Sequence, residues 1–174
     1  MNSKSMKEHK KSAPKSINGA VITLSDSKYK DFLVNENSDV SGKIIKDALE
    51  EKNNVLFYSI IPDDTGLLIS TIDHVIASYD VDVIITTGGT GIGPRDITIE
   101  TLKNVFEKEI NGFGEIFRYE SYNELGTGAI LSRATAGIYK KKLIVSLPGS
   151  PNAVNLGLKI ILPELGHLVK HLKE

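Results

Sequence analysis

The stretch Val81-Asp-Val-Ile-Ile-Thr-Thr-Gly-Gly-Thr-Gly-Ile-Gly-Pro-Arg-Asp96 decides how this chain folds. Val81 to Thr87 is apolar and β-branched apart from Asp82, which suits a strand buried on both faces of a parallel sheet. Gly88-Gly89-Thr90-Gly91-Ile92-Gly93 follows, with four glycines in six positions. Glycine admits positive φ and lets a ligand come close to the main chain. Pro94 closes the loop, and helical spacing begins at Ile97. A strand, a glycine loop and a helix aim N–H groups and a positive helix end at one point, which suits an anion such as phosphate. Open α/β sheets hold their ligands at the carboxyl ends of strands, where this loop lies. It is neither a P-loop, since Pro94-Arg95 stands where Lys-Ser/Thr is required, nor a G-x-G-x-x-G fingerprint, which finds no register. A ligand-free turn is the plainer alternative, although a tight turn rarely needs four glycines and two threonines. The loop backbone is expected at the surface. Gly89→Val is therefore expected to abolish ligand binding at modest cost in stability, unless Gly89 occupies glycine-only φ/ψ space.

Upstream, Ile17 to Leu24 reads as a first strand ending at Ser25-Asp26-Ser27, and Lys28 to Ser38 as a long loop. Ser41 or Asp39 can cap a helix striped by Ile44, Ile45, Ala48 and Leu49. Val55 to Ile61 is a second strand, then a turn at Pro62-Asp63-Asp64-Thr65-Gly66, then a helix through Leu68, Ile72 and Val75. Downstream, a helix spans Ile97 to Glu107, and another runs from Glu115 to Leu125 behind Gly112-Phe113-Gly114. Ala136 to Tyr139 and Lys142 to Leu147 form a hairpin across a lysine turn. Ser150 and Pro151 are N-cap and first residue of a last helix, which Pro163 is expected to kink or restart. The alternation predicts an α/β fold: a three-layer α/β/α arrangement on a mostly parallel sheet with one antiparallel hairpin strand.

The chain has 174 residues, suited to one domain. Hydrophobic residues at 40% and charged residues at 25% place it among ordinary soluble proteins. A net charge of -1 argues against broad nucleic-acid binding. The lack of cysteine removes disulfides, thiolate nucleophiles and cysteine-ligated metals. No apolar run nears 18 residues and no signal-peptide core is present, so no membrane role and a cytoplasmic location are expected. Met1 to Ser16, with Lys4, Lys7, Lys10, Lys11 and Lys15, reads as a basic arm ahead of a domain over 17–174. His167 and His171 are spaced i, i+4, which permits a metal, but no third ligand is in view and they read as a solvated helix face.

Together these pieces resemble the MoaB/MogA group of molybdenum-cofactor biosynthesis proteins. The matching residues are Ser25-Asp26, Asp39-x-Ser41-Gly42, Pro62-Asp63-Asp64, Thr86 to Gly91 with Arg95-Asp96, Gly112 to Arg118, Leu131 to Ala134, and Leu147 to Ser150. They run in order along nearly all of Ile17 to Leu172, and the Gly112 to Arg118 and Leu131 to Ala134 segments resemble MoaB more than MogA. The resemblance implies the molybdopterin-binding fold of that group, assembled as a trimer or a hexamer, and a molybdate-insertion protein as partner. The implied reaction is Mg²⁺-dependent transfer of AMP from ATP to the molybdopterin phosphate, with release of pyrophosphate. A binding-only carrier of molybdopterin is the alternative.

The residues themselves fit such chemistry, because phosphoryl transfer between anions needs positioning and charge neutralisation. Backbone N–H groups of Gly88, Gly89, Thr90 and Gly91 can hold a phosphate, with Thr87 at their root. Mg²⁺ takes one or two carboxylates plus substrate phosphates. The carboxylates placed after strand ends are Asp26, Asp63, Asp64 and Asp96, and the resemblance assigns Asp63 and Asp96 to Mg²⁺-ATP and catalysis. Asp63 also fits a turn aspartate and Asp96 a helix cap. Ser25, Asp26, Ser132, Arg133, Pro148, Gly149 and Ser150 complete the expected substrate contacts, although the serines also serve as plain caps. Arg133 can pair with a phosphate or with a surface glutamate.

Overall fold

The structure is a computed structural model that describes Pro14 and Ser16 to Glu174, so the expected basic arm falls almost wholly outside the described residues. Among the described residues six strands and six α-helices follow one another: β1 Asn18–Leu24, α1 Asp26–Leu33, α2 Val40–Glu50, β2 Asn54–Ile61, α3 Thr65–Ser78, β3 Val83–Thr87, α4 Thr98–Val105, β4 Lys108–Glu109, α5 Asn111–Leu125, β5 Thr135–Tyr139, β6 Lys142–Leu147 and α6 Pro151–Lys173. A 3₁₀ turn, Gly126–Leu131, follows α5.

The strands form one sheet in the order β2-β1-β3-β6-β5-β4. β2, β1, β3 and β6 are parallel, and β5 runs against β6 as the expected hairpin strand. Lys140 and Lys141 take φ of 49° and 61°, the paired positive values that a two-residue hairpin turn needs to match strand twist. Side chains alternate across the sheet and supply two cores. Val21, Val83, Ile85 and Val145 meet Ile45 and Leu49 of α2, Phe117 of α5 and Val154, Leu158 and Ile161 of α6. On the opposite face Ala20, Ile22, Ile84 and Ile144 meet Leu68, Ile72 and Val75 of α3 and Leu102 of α4. This is the three-layer arrangement that the strand–helix alternation predicts.

Four local expectations change. The expected loop Lys28 to Ser38 is helical up to Leu33, as part of α1, which buries none of its residues and so carries no apolar stripe to reveal it. Ser25 starts it by accepting a hydrogen bond from Lys28 N at 3.3 Å. The helix before Glu107 stops at Val105, and the next residues form the short edge strand β4 on β5. α5 begins at Asn111 and takes in the glycines, of which Gly114 is required by packing, since a Cβ there would stand 2.8 Å from the Ala134 carbonyl oxygen. α6 continues through Pro163 without restarting. Among the described residues no helix is long and apolar enough to cross a membrane.

Candidate functional site

The carboxyl ends of β1, β2, β3 and β6 converge on a cleft of about 420 Å³. β1 delivers Ser25, β2 delivers Asp63, β3 delivers Thr87 and the glycine loop, and β6 delivers Pro148 and Gly149. Two tertiary bonds join the β3 and β6 loops: Gly88 N donates to Leu147 O at 3.1 Å, and Thr87 Oγ1 donates to Pro148 O at 2.9 Å.

The glycines are needed individually. Gly88 has φ of 96°, and a Cβ there would run into the Leu24 carbonyl. Its N–H is committed to Leu147 O and so is not available to a ligand. Gly89 has φ of 60°, and a Cβ would stand 2.5 Å from Thr98 Oγ1 and 2.8 Å from Asp63 Oδ1. Thr98 cannot readily yield, since its hydroxyl donates to Gly88 O and its N–H to Gly89 O, both at 2.9 Å. The expected modest stability cost of Gly89→Val therefore does not stand: the position combines a left-handed backbone with two fixed neighbours.

Asp96 closes the loop on itself. Its Oδ2 accepts from Gly93 N at 2.8 Å, and its own N–H donates to Gly93 O at 3.0 Å. The N-cap of α4 is Ile97, with no side-chain cap bond, so the helix-cap reading of Asp96 fails. Asp63 and Asp26 grip each other's backbone: Asp26 N donates to Asp63 Oδ2 and Asp63 N to Asp26 Oδ1, each at 3.1 Å. The other Asp63 oxygen, Oδ1, is buried and has no partner. Burial pushes the Asp63 carboxyl above the usual carboxylate range, helped by the negative charges of Asp26 and Asp96. Asp26 moves the other way. Arg95 donates to it through Nε at 3.0 Å and Nη2 at 2.7 Å, which holds its carboxyl below the ordinary value. Arg95 therefore belongs to the cleft wall.

The remaining expected residues divide. Ser25 lines the cleft while capping α1, and Asp26 stands behind Asp63 on Arg95. Ser132 and Ser150 line a neighbouring groove of about 270 Å³, which shares Leu131 and Pro148 with the cleft. Ser150 Oγ is engaged at 3.3 Å by Ala153 N as the cap of α6. Arg133 lines neither space and pairs with Glu100, the alternative that the sequence left open. Burial is the largest single influence on Glu100 and opposes its ionisation, but the bond from Arg133, a backbone bond of its own and the charges of Arg133 and Lys103 together hold the carboxyl below its ordinary value.

Sequence reasoning overlooked Thr23, Lys28 and Ser41 as cleft residues. Thr23 donates to Asp39 at 2.5 Å, and Tyr58 donates to the same oxygen at 2.7 Å. Asp39 also caps α2 through Gly42 N at 3.0 Å, which frees Ser41 to donate to Gly149 O at 2.7 Å. Burial, together with Asp39, keeps the Tyr58 phenol protonated far above its usual range. The segment Asp39-x-Ser41-Gly42 was visible in the sequence, but its role depends on a carbonyl 108 residues away.

Strand-end carboxylates around a glycine loop, at the carboxyl edge of a parallel sheet, define the class of α/β protein whose cleft suits an anionic, phosphate-bearing ligand. Residues 20–167 match the family described as "Probable molybdopterin binding domain". The chain belongs to that family. It is 49% identical over 161 residues, 92% of this chain and 96% of the relative, to a protein of Methanocaldococcus jannaschii called "Probable molybdopterin adenylyltransferase". It is 45% identical over 173 residues, 97% of this chain and 99% of the relative, to the "Molybdopterin adenylyltransferase" of Pyrococcus furiosus. The crystal structure of the tungsten cofactor synthesizing protein MoaB from Pyrococcus furiosus superposes with a TM-score of 0.85 at 44% identity, covering 93% of this chain and all of that one.

Proposed function

We propose that this chain is a molybdopterin adenylyltransferase of molybdenum-cofactor biosynthesis, joining AMP from ATP to the terminal phosphate of molybdopterin and releasing pyrophosphate. The observation that carries the reading is Asp63. Its Oδ1 is a buried acceptor without a partner, at the mouth of a glycine loop, within the electrostatic reach of Asp96. Such an oxygen costs stability unless a cation completes it. Mg²⁺ fits: it prefers carboxylate oxygens and usually takes only one or two from the protein. Among the described residues no three His, Cys, Asp or Glu side chains cluster as a metal cage, which matches an ion shared with substrate phosphates. When bound through Asp63 and Asp96, Mg²⁺ would offset charge on the triphosphate.

The protein's own part is positioning. Gly89, Thr90 and Gly91 line the cleft, where backbone amides can meet an anion, and Lys28 lines it too. Asp26 turns Arg95 into a fixed brace by a two-point ion pair, and the reciprocal backbone bonds with Asp63 hold that carboxylate in place. A molybdopterin phosphate oxygen attacks the α-phosphorus of ATP in this frame, the bond to the β,γ-unit breaks, and pyrophosphate leaves. Thr87, Pro148 and Gly149 form the opposite rim, and the groove with Ser132 and Ser150 extends it toward a longer ligand.

The active form we propose is a trimer or a hexamer in the cytoplasm, handing its product to a molybdate-insertion protein. Support comes from α5 and its following turn, where Ile116, Tyr119, Tyr122, Leu125, Ile130 and Leu131 are all more than half exposed. Leu131 also lines the cleft, so a subunit seated there would border the ligand. The test is pyrophosphate release by the purified protein with molybdopterin and Mg²⁺-ATP. Turnover dependent on all three supports the reading. Tight molybdopterin binding without pyrophosphate release would make the chain a binding-only carrier.

A further inference from the structure

The last turns of α6 hold a pair of imidazoles that the adenylyl-transfer cleft does not use. His167 and His171 lie one helical turn apart, and their Nε2 atoms face each other at 3.0 Å, with ring centroids 4.7 Å apart. The outer nitrogen of each ring looks at a carboxylate: His167 Nδ1 is 3.5 Å from Glu164 Oε2, and His171 Nδ1 is 3.3 Å from Glu174 Oε2. A carboxylate on the Nδ1 side favours the tautomer with the proton there, which leaves Nε2 as a lone pair. Two such lone pairs converge on one point 3.0 Å across, which a shared proton or a metal ion can occupy. With metal–nitrogen bonds of roughly 2.1 Å, a nitrogen separation of 3.0 Å corresponds to an angle at the ion of about 90°. That is the cis angle of square-planar and octahedral coordination.

We propose that His167 and His171 bind one divalent transition-metal ion of the imidazole-preferring class, Cu²⁺ or Ni²⁺ ahead of Zn²⁺, with water in the remaining positions. The carboxylates of Glu164 and Glu174 orient the rings from outside. Lys170 lies on the same stretch and engages Glu174 at 3.4 Å, so the local charge is not purely acidic. This separates the site from the cleft, where hard oxygen ligands suit Mg²⁺. The ion would fix the end of α6 beside Lys173, whose amine reaches the buried Asp82 at 2.7 Å. Its natural consequence is a fold whose last helical turns tighten with transition-metal supply.

The experiment titrates CuCl₂ and NiCl₂ into the full-length protein, stripped with chelator, by calorimetry at pH 7.5 in the presence of millimolar Mg²⁺. Wild type should take one ion per chain. His167→Gln and His171→Gln should each lose roughly 10- to 100-fold in affinity, because the second ligand acts at high effective concentration only when both are present. Copper spectra should show two equivalent nitrogens, and saturating metal should raise the melting temperature of wild type but not of either variant. Equal affinity in wild type and single variants would overturn the proposal, and so would singles that simply halve the stoichiometry. In that case the imidazoles share only a proton. Pyrophosphate release should be unchanged in both variants, so failure here is separable from failure of the adenylyl-transfer reading.

Discussion

Asp63→Asn should make the protein more stable and inactive at once. The side chain has one oxygen satisfied by Asp26 N at 3.1 Å and the other buried without a partner. Burial raises its pKa above the ordinary 3.8. A group whose native pKa is raised binds its proton more tightly folded than unfolded. Stability therefore falls as pH rises from 3.8 through the native value, and the penalty is complete at neutral pH. Asparagine has nearly the same shape, keeps an oxygen for Asp26 N, and carries no charge. An unsatisfied buried acceptor costs about 1–3 kcal/mol. The amide leaves a donor near the same spot, so the net gain should be roughly 1 kcal/mol, or ~2–4 °C in melting temperature for a domain of this size. The advantage should be present at pH 7 and should shrink as pH falls toward 4. Asp26 titrates with the opposite sign: its lowered pKa gives stability above 3.8 that is lost as pH falls through the native value. Both proteins share that loss, so it cancels in the difference. Pyrophosphate release should fall by roughly 10²–10⁴ on losing a charged metal ligand. Calorimetric melts from pH 4 to 8 and a turnover assay on one preparation decide the matter. A variant that melts lower than wild type at pH 7, or turns over within about threefold of it, would refute the reasoning.

Asp96→Asn should keep the fold, since an amide oxygen can still accept from Gly93 N, while turnover drops by roughly 10²–10⁴ and molybdopterin binding survives; dissociation constants measured beside the rate separate the two effects. Gly89→Val should both lose ligand affinity and melt far below wild type, because strain of roughly 1–3 kcal/mol at positive φ adds to the collisions with Thr98 and Asp63; a normal melting temperature would contradict the geometry. Tyr119→Glu on the exposed face of α5 should shift light scattering toward the monomer with little change in helix content, whereas an unchanged mass would remove that face from the assembly. Ile72→Ala, in a wholly buried position of α3, should cost about 2–5 kcal/mol in chemical denaturation.

Much of this protein was legible from local pattern. Buried parallel strands announce themselves as β-branched runs, so β1, β3 and β6 and the glycine loop between β3 and α4 could be read directly. Amphipathic α2 and α3 carried their stripes, and Ser150-Pro151 marked the start of α6 through capping chemistry that depends only on neighbours. α1 escaped because it buries nothing, and β4 because a two-residue edge strand exists only by leave of β5. The ordered motifs also placed Asp63 and Asp96 at strand ends. What they could not express was distance. That Asp26 engages Arg95 rather than standing free, that Arg133 turns to Glu100, that Gly89 is wedged between Thr98 and Asp63, and that two histidines aim their Nε2 atoms at one point are all facts of three-dimensional proximity. Local sequence determines which elements form, because propensity, periodicity and capping act over a few residues. Which polar groups find a partner and which, like Asp63 Oδ1, are left without one was decided only when the sheet brought four strand ends together.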